Sequence, residues 1–289
     1  MEFLLGIDGG GTSCRALLSS LGGQEIARGQ AGSANVNTDQ TGTCHSIQQA
    51  IKNAFDTSGW PYDLSCIKSA CIGLAGVNVL GEQEKAGFLD RLGIDAVRLT
   101  TDTHIALEGA HEGRDGIIAI LGTGSALLKR EGDVFTSLGG WGFQLGDQAG
   151  GAFMGREALR RTLLAHDGIL EESSFTRSLL AHFSFKPENI VEFSGAAKPQ
   201  DYAAFMPLLL EHWTQNDPVA TLILEESAAY IKDAFKRLNE NRSLPIALLG
   251  GISSPFYGIL EKALSPCLQR PKGDALQGAV LLARQREHS

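Results

Sequence analysis

The chain has 289 residues, of which 43% are hydrophobic, and a formal net charge of −8, as expected of a globular protein of about two domains. Its acidic balance and lack of a basic run argue against a nucleic-acid partner, because such partners require clustered Lys and Arg to neutralise phosphates. The apolar stretch at residues 3–7 is too short for a signal peptide, and no segment approaches the ~18 apolar residues of a membrane span. We expect a cytoplasmic protein that contacts neither nucleic acid nor membrane.

Neither the cysteines nor the histidines form a recognisable disulfide or metal pattern. The five cysteines are odd in number and include no C-x-x-C pair, and the seven histidines show no H-E-x-x-H spacing. We therefore expect reduced cysteines, most of them in the core, and no zinc site.

The first predicted strand, at residues 3–7, runs directly into a glycine turn at residues 8–13. A short aliphatic run bounded by a turn is typical of a buried strand, and the alternating residues from Cys14 onward predict a second strand. This arrangement argues against a dinucleotide fold, which needs a helix after the glycines, and Cys14 also occupies the last glycine position of G-x-G-x-x-G. The sequence contains no G-K-[ST], which excludes a Walker A loop.

Three consecutive glycines in this turn are more than a hairpin needs. Their N–H groups, with the hydroxyls that follow, can surround a phosphate. Asp8, at the strand end, can hold Mg²⁺ through water, since Mg²⁺ keeps several waters and takes one or two carboxylates. The alternative is a tight Asp-Gly hairpin turn. The candidate phosphate-binding residues are Gly9, Gly10, Gly11, Thr12 and Ser13.

A loop and a helix follow the first hairpin. The loop at residues 32–35 ends at Asn35, which either contacts a sugar or forms an Asx-turn. The apolar residues within 47–55 fall on one helical face and predict an amphipathic helix.

Asp102 follows a short predicted strand at residues 96–101 and precedes a predicted helix. An acid at this position either caps the helix or contacts a ligand, because α/β proteins bind ligands at the carboxyl ends of strands. As a carboxylate beside a sugar hydroxyl, it would accept the proton while the oxygen attacks the γ-phosphate of a nucleotide. The residue pattern leaves both interpretations open.

A second aliphatic run, at residues 117–121, leads into another glycine turn and a further strand. Gly122, Thr123 and Gly124 repeat the chemistry of the first turn. One glycine hairpin early in each half of the chain predicts a duplicated architecture in which both turns face a common ligand.

The densest glycine cluster lies at residues 139–151 and includes Gly140, Trp141, Gly142 and Asp147. Sugar sites combine carboxylates with an indole or a glycine backbone packed close to the ring, and Asp147 can accept two sugar hydroxyls. A lone tryptophan is more often a core aromatic, and that alternative stays open for Trp141.

The remaining segments alternate between helices and one more strand. Amphipathic patterns predict helices from about residue 148 to 165, after residue 218 and from residue 274 to 282, and the aliphatic run at 246–249 precedes Gly250 and Gly251. Strands interspersed with helices and hairpins predict an α/β fold. Residues 171–200 show no clear pattern.

In this order and spacing, the motifs resemble those of the BadF/BadG/BcrA/BcrD ATPase family, which includes N-acetylglucosamine kinases. The turn at residues 8–12 is similar to the family's first phosphate motif, and Asp102 with residues 122–125 is similar to its acid and second phosphate motif. Residues 249–251 resemble its adenosine motif, and residues 139–147 its sugar-binding segment. The resemblance extends along the whole chain and is closest to bacterial glucosamine kinases.

The resemblance implies two ribonuclease H-like domains of the actin-like ATPase type, flanking a nucleotide cleft that closes on the sugar. The first domain would span residues 1–112, completed by a C-terminal helix at 274–289, and the second would span residues 113–273. ATP and Mg²⁺ would be the cofactors and an amino sugar the substrate. By position, the general base would be Asp102; the phosphate contacts Thr12 and Thr123; the adenosine contacts Gly250, Gly251 and Ser253; and the sugar contacts Asn35, Gly140, Trp141, Gly142 and Asp147.

Two functions of other classes fit less well. An ATPase that activates a partner dehydratase carries cysteines for an iron–sulfur cluster shared across a dimer, and no such cysteine pattern occurs here. A non-catalytic sugar sensor would not need Asp102 and both phosphate turns. The zinc motif of the repressor/kinase sugar kinases is also absent from the sequence.

Two substrates remain for an amino sugar kinase. The free amine of glucosamine would prefer a carboxylate partner, whereas the acetamide of N-acetylglucosamine needs an apolar notch for its methyl group. The resemblance favours glucosamine, and the sequence leaves open whether the chain forms a homodimer.

Overall fold

The computed structural model describes residues 2–241 and 243–286. It divides into two compact units, one formed by the residues up to Gly116 together with those from Arg270 onward, the other by Ile117–Gln269. The division implied by the resemblance placed these boundaries after residue 112 and before residue 274.

In chain order, the first unit begins with β1 (Phe3–Gly9), β2 (Cys14–Ser19), β3 (Glu25–Ala31), α1 (Gln40–Ser58), β4 (Ile67–Leu74), α2 (Glu82–Leu92), β5 (Val97–Thr101) and α3 (Asp102–His111). Short 3₁₀ turns lie at Leu64–Cys66 and Val77–Val79. Those that follow are β6 (Gly116–Leu121), β7 (Ser125–Glu131), β8 (Val134–Gly139), α4 (Gly151–His166), α5 (Ser174–His182), α6 (Pro187–Ala196), α7 (Pro199–Ala203), α8 (Met206–Thr214), α9 (Pro218–Leu238), β9 (Ile246–Leu249), α10 (Ser254–Leu264) and β10 (Leu268–Gln269). The chain then returns to the first unit with α11 (Ala275–Arg286).

The described strands form two sheets with the same topology. The first has the order β3-β2-β1-β4-β5 and the second the order β10-β9-β6-β7-β8, so in each unit the first strand lies between its hairpin partner and the fourth strand. In the first sheet, β1 pairs antiparallel with β2 and parallel with β4, and β4 pairs parallel with β5. The α/β fold with glycine hairpins, rather than strand–turn–helix units, is confirmed, and so is the duplicated architecture.

The first sheet buries both faces because successive β1 side chains alternate between them. Phe3, Leu5 and Ile7 belong to a core shared with α1 and α2. Leu4 belongs to a second core on the other face, shared with α3 and α11. Helix α1 buries the predicted apolar face: Ile47, Ala50, Ile51, Ala54 and Phe55.

Helix α11 is packed against α3 through glycines that allow backbone contact. A Cβ on Gly278 would stand 1.9 Å from the carbonyl oxygen of Ile105, and a Cβ on Gly109 would stand 1.9 Å from that of Asp274. Beneath the helix, a Cβ on Gly6 of β1 would lie 2.8 Å from the Leu276 carbonyl oxygen. Close backbone packing at these three glycines therefore holds the C-terminal helix against the first unit.

The helical predictions for the second unit are confirmed in outline, with two differences. Helix α4 begins at Gly151 rather than near residue 148, because Asp147 has a left-handed backbone (φ 63°) and its carbonyl oxygen accepts the N–H of Gly150 at 2.7 Å. Helix α9 begins at Pro218, next to the predicted start after residue 218, but Leu222, one of the apolar residues that indicated it, is 41% exposed and lies outside the buried face. The unpatterned residues 171–200 contain α5 and α6.

Asp217 joins the starts of α5 and α9. Its carboxylate accepts the backbone N–H groups of Val219 and Ala220, and that of Phe175 at 2.9 Å. The hydroxyls of Ser173 and Ser174 donate to the same carboxylate at 3.1 and 2.9 Å. Burial would raise the pKa of Asp217, but these hydrogen bonds outweigh it and lower the pKa below its usual range.

The membrane and metal predictions can be compared with the described residues. None of the helices in residues 2–241 and 243–286 is both long and apolar enough to cross a bilayer. The same residues contain no group of three or more His, Cys, Asp or Glu side chains arranged to hold a metal. Burial raises the pKa of the Cys14 and Cys71 thiols to about 12, as expected of inert core cysteines.

We predict that Gly278→Ala destabilises the protein by about 1–3 kcal/mol, because the new methyl group overlaps the backbone of α3. The matched control is Gly87→Ala in α2, where a Cβ meets no atom within 4 Å and helix propensity alone should stabilise by about 1 kcal/mol. Urea unfolding of both variants measures the difference. Equal effects would contradict the backbone contact.

We predict that Asp217→Asn lowers the free energy of unfolding by about 1–3 kcal/mol at neutral pH, because buried donors lose their charged acceptor. Since the folded pKa is lowered, the stabilisation is present above the unfolded pKa of about 3.9 and is lost as pH falls through the folded pKa. The stability gap between wild type and variant should therefore narrow in acid. A gap of constant size from pH 7 to pH 3 would rule out this titration.

Candidate functional site

The carboxyl edge of the first sheet brings together the candidate residues of the first unit. Asp8 of β1, Gly73 of β4 and Thr100 of β5 lie in one row across the three parallel strands, so their side-chain positions share a face. Helix α3 packs over this row, where the missing Cβ of Gly73 leaves room for Ile105. Asp102, the first residue of α3, therefore lies at the same edge as Asp8.

The first glycine turn leaves part of its backbone open. Gly9 is required by packing, because a Cβ there would stand 2.3 Å from Leu74. A Cβ on Gly10 would meet nothing closer than 3.8 Å and one on Gly11 nothing within 4 Å, and neither glycine has a positive φ. Neither packing nor backbone conformation requires these two glycines, whereas close approach of a ligand to the turn would favour them. This observation favours the predicted phosphate turn over a plain hairpin.

Backbone hydrogen bonds within the first glycine turn and from two neighbouring loops hold the turn in place. The N–H of Gly10 donates to the Ser13 carbonyl at 3.0 Å, and the Gly10 carbonyl accepts the N–H of Ala34 at 2.9 Å. The Gly9 carbonyl accepts the N–H of Ala75 at 2.9 Å. The turn is thus anchored to the loop before Asn35 and to the end of β4.

Asp8 forms an ion pair with Arg15, a partner that sequence reasoning did not identify. The two residues face each other across the β1–β2 hairpin, where the register pairs them directly. Had this antiparallel register been derived from the sequence, it would have indicated the pair. Arg15 already neutralises this carboxylate, so Asp8 is suited to contact a magnesium ion only through water, the mode in which Mg²⁺ retains several waters.

The carboxylate of Asp102 is held at the start of α3 and does not cap it. The cap is Thr101, whose Oγ1 accepts the N–H of His104 at 3.0 Å. One carboxylate oxygen of Asp102 accepts the N–H of Thr103 at 2.8 Å. The N-cap interpretation of Asp102 is therefore wrong, and the neighbouring Thr103, which the sequence analysis did not single out, holds the carboxylate.

The environment of Asp102 shifts its acidity in the direction that proton acceptance requires. Burial raises the pKa of the Asp102 carboxyl, and the nearby negative charge of Asp8 raises it further. The hydrogen bonds from Thr103 act in the opposite direction but do not cancel the shift. A general base is most effective with a pKa closer to the working pH, and Asp102 is shifted that way.

The side chain of Asn35 forms the Asx-turn that was the alternative interpretation. Its Oδ1 accepts the N–H of Asn37 at 3.0 Å, and its backbone bridges to Ala75 beside the end of β4. A Cβ on Gly76 would lie 2.8 Å from the same oxygen. Asn35 is thereby positioned at the carboxyl edge of the sheet, and its contact with a sugar stays a prediction.

The second glycine turn is anchored to the start of α4. The N–H groups of Gly151 and Ala152 donate to the carbonyls of Gly122 and Thr123 at 2.8 and 2.9 Å. A Cβ on Gly122 would meet nothing within 4 Å, whereas one on Gly124 would stand 2.5 Å from Asp147. As in the first turn, one glycine is required by packing, and another has open space where its Cβ would lie.

Asp147 connects this turn to the loop after β8. Its carboxylate accepts the backbone N–H groups of Ser125 and Gly142, and burial raises its pKa despite them. The side chain is buried, with 8% of the residue exposed. These bonds, which the sequence did not reveal, show that Asp147 shapes its own loop, and its contact with sugar hydroxyls stays a prediction.

Trp141 lies at the surface of this loop. It is 79% exposed, so the core-aromatic interpretation is wrong. Gly140 and Gly142 on either side both have left-handed backbones, with φ of 72° and 85°, that glycine adopts without strain. The exposed indole is available for contact with a ligand.

Gly250 and Gly251 follow β9, which pairs parallel with β6. Gly250 is required, with φ of 94° and a would-be Cβ 2.2 Å from the Leu121 carbonyl oxygen. A Cβ on Gly251 meets nothing within 4 Å. The hydroxyl of Ser253 donates to the Gly250 carbonyl at 2.8 Å. The candidate adenosine residues therefore lie beside the end of β6, which leads into the second glycine turn.

Comparison with known proteins agrees with this geometry. A family model described as the BadF/BadG/BcrA/BcrD ATPase family matches residues 5–283. The chain belongs to this family.

Relatives of the chain match it along their full lengths. A glucosamine kinase from Vibrio cholerae is 32% identical over 292 residues, covering 100% of this chain and 98% of the relative. An N-acetyl-D-glucosamine kinase from Dictyostelium discoideum is 28% identical over 325 residues, covering 98% of both. A crystal structure described as an N-acetylglucosamine kinase from Chromobacterium violaceum has a TM-score of 0.89 and 31% identity, covering 98% of this chain and 99% of that one.

Membership of the BadF/BadG/BcrA/BcrD ATPase family explains the repeated topology. Both units have the same strand order. In both, the hairpin of the first two strands carries a glycine at which a Cβ would meet nothing within 4 Å. The fourth strand of each sheet ends beside a glycine with a left-handed backbone, Gly76 in the first unit and Gly250 in the second. The predicted fold of two ribonuclease H-like, actin-like ATPase domains is confirmed.

Proposed function

We propose that the chain is an ATP-dependent amino sugar kinase that converts ATP and glucosamine to ADP and glucosamine 6-phosphate. The main support is the environment of Asp102, a half-buried carboxylate with a raised pKa at the sheet edge that also carries the first glycine turn. The names of the relatives support the same class of reaction, since they are kinases of glucosamine or N-acetylglucosamine.

Asp102 acts as the general base in this proposal. The 6-hydroxyl oxygen of the sugar forms a bond to the γ-phosphorus, the bond from that phosphorus to the β,γ-bridging oxygen breaks, and ADP leaves. The proton of the hydroxyl passes to the Asp102 carboxylate. Such transfers depend on positioning and charge stabilisation more than on covalent chemistry, which suits a site built from backbone donors.

The remaining residues bind and orient the two substrates. The backbone of the first turn around Gly11, with Thr12 and Ser13, and the backbone of the second turn, with Thr123, contact phosphates. Asp8 would hold Mg²⁺ through water, and the ion would supply positive charge to neutralise the phosphates. The adenosine contacts are Gly250, Gly251 and Ser253, and the sugar contacts are Asn35, Gly140, Trp141, Gly142 and Asp147.

N-acetylglucosamine is the second candidate substrate, because two of the similar proteins carry that name. A coupled assay of ADP release over glucosamine, N-acetylglucosamine and neutral hexoses distinguishes the two. A higher kcat/KM for glucosamine would support the proposed substrate. A higher kcat/KM for N-acetylglucosamine would make the acetylated sugar the substrate instead. ATP hydrolysis that no sugar stimulates would contradict the kinase proposal.

We predict that Asp102→Asn lowers kcat by about 10²–10⁴-fold while ATP binding is retained, because the base is lost without loss of volume. In the wild type, kcat/KM should rise with pH through a pKa above the ordinary carboxyl range, since the active base is deprotonated and its pKa is raised. The variant should lack that limb of the pH profile. The matched control is Asp95→Asn, an exposed acid of the same unit. Near-normal turnover of Asp102→Asn would remove this residue from the mechanism.

We predict that Trp141→Ala raises the KM for the sugar far more than the KM for ATP. The indole is 79% exposed, so its loss should leave the free energy of unfolding nearly unchanged. Asp147→Ala is a poorer test because it also removes the acceptor of two backbone N–H groups. Val134→Ala, at a position 63% exposed in the same unit, serves as the control. An unchanged sugar KM for Trp141→Ala would place the sugar elsewhere.

A further inference from the structure

A chain of polar side chains lies next to Asp102 and has no role in the proposed chemistry. The ring Nδ1 of His104 is 2.8 Å from Oγ1 of Thr100. The other ring nitrogen, Nε2, is 3.4 Å from Oε1 of Glu108, one turn further along α3. All three residues belong to the first unit, and only 1% of the Glu108 side chain and 15% of the His104 side chain are exposed.

The partners of the ring determine how its two nitrogens are used. A carboxylate accepts hydrogen bonds, so the nitrogen facing Glu108 carries a proton. In the neutral imidazole, the nitrogen facing Thr100 is then the acceptor of the threonine hydroxyl. A buried carboxylate is costly unless it is paired, so Glu108 favours this orientation of the ring.

Hydrogen bonds to the ring and the backbone of His104 connect the two ends of a short segment that has Asp102 at its centre. Thr100 is tied to the His104 ring, and Thr101 is tied to the His104 backbone by the cap hydrogen bond of 3.0 Å. Both ends of the segment from residue 100 to residue 104 are therefore fixed by side-chain hydrogen bonds. The carboxylate of Asp102, held by the N–H of Thr103, belongs to this fixed segment.

Thr100 also connects the corner to the rest of the sheet edge. It lies in the same row of the sheet as Asp8, whose charge contributes to the raised pKa of Asp102. A corner that is free to shift would change the position of the carboxylate relative to the acceptor hydroxyl. Misplacement of a reacting group by about 1 Å can cost about 10²-fold in rate.

We propose that His104 is a positioning residue, which fixes the catalytic carboxylate of Asp102 through its contact with Thr100 and is itself oriented by Glu108. This inference rests on the proposed kinase function, because the role of His104 is exerted through the general base. The ring touches neither substrate in this proposal.

Three substitutions separate the two contacts of the ring. His104→Asn places an amide near the former Nδ1 and retains the contact with Thr100, whereas His104→Gln reaches toward the former Nε2 and retains only the contact with Glu108. Thr100→Val removes the same hydroxyl contact from the other side with a β-branched residue that suits a strand. His45→Gln, at an exposed position of the same unit, is the control.

Steady-state kinetics of the full-length chain test the proposal. His104→Gln and Thr100→Val should lower kcat by about 10- to 100-fold with little change in the KM of either substrate, since positioning affects the transition state. His104→Asn should restore most of the turnover, and thermal melting and ATP binding confirm that each variant is folded. A rise in KM at unchanged kcat, or full activity of Thr100→Val, would overturn the proposal.

Combining the substitutions with Asp102→Asn provides a readout that a merely structural role would not change. If His104 acts through Asp102, His104→Gln should have little further effect on kcat once the carboxylate is gone. Multiplicative losses would show independent effects and refute the positioning role. Wild-type protein that phosphorylates no sugar would overturn the proposed function itself, whereas active wild type with fully active variants would overturn only this inference.

Discussion

Parallel pairing of β1, β4 and β5 is the constraint on which the chemistry of the first unit depends. Because the three strands point the same way, their carboxyl ends and the loops that follow meet at one edge. The antiparallel β2 then allows the chain to turn back through glycines rather than start a helix. The sheet thus brings a carboxylate, an open backbone turn and the start of α3 to one edge, although they are far apart in sequence.

The glycines show how far a sequence can be interpreted without coordinates. Clustering alone identified both turns, the loop after β8 and the pair after β9. It could not distinguish Gly9 and Gly124, which neighbouring side chains require, from Gly11 and Gly122, where a Cβ would meet open space. That distinction depends on atoms brought close by tertiary packing. The fold class was predictable because the aliphatic runs and hairpin turns are local signals.

Partners contributed by other loops were not predictable for the same reason. Asp102 was identified from its position after a strand, but the sequence did not decide between a cap and a base. Thr101 excludes the cap interpretation by accepting the His104 N–H itself, and the carboxylate of Asp102 instead accepts the N–H of Thr103. The bonds of Asp147 to Ser125 and Gly142 likewise depend on a left-handed backbone at residue 147 that no local pattern indicated.

Asp102 and Asp147, the two carboxylates of the candidate site with raised pKa values, differ in the hydrogen bonds that they already accept. Asp147 accepts two backbone N–H groups that connect separate loops, so any ligand it binds must share an acceptor that already has a structural role. Asp102 accepts from the adjacent Thr103 and from its own backbone, and its raised pKa arises from burial and from the charge of Asp8. The acidity of Asp102 therefore responds to charge at the first glycine turn, whereas that of Asp147 is set within its own loop.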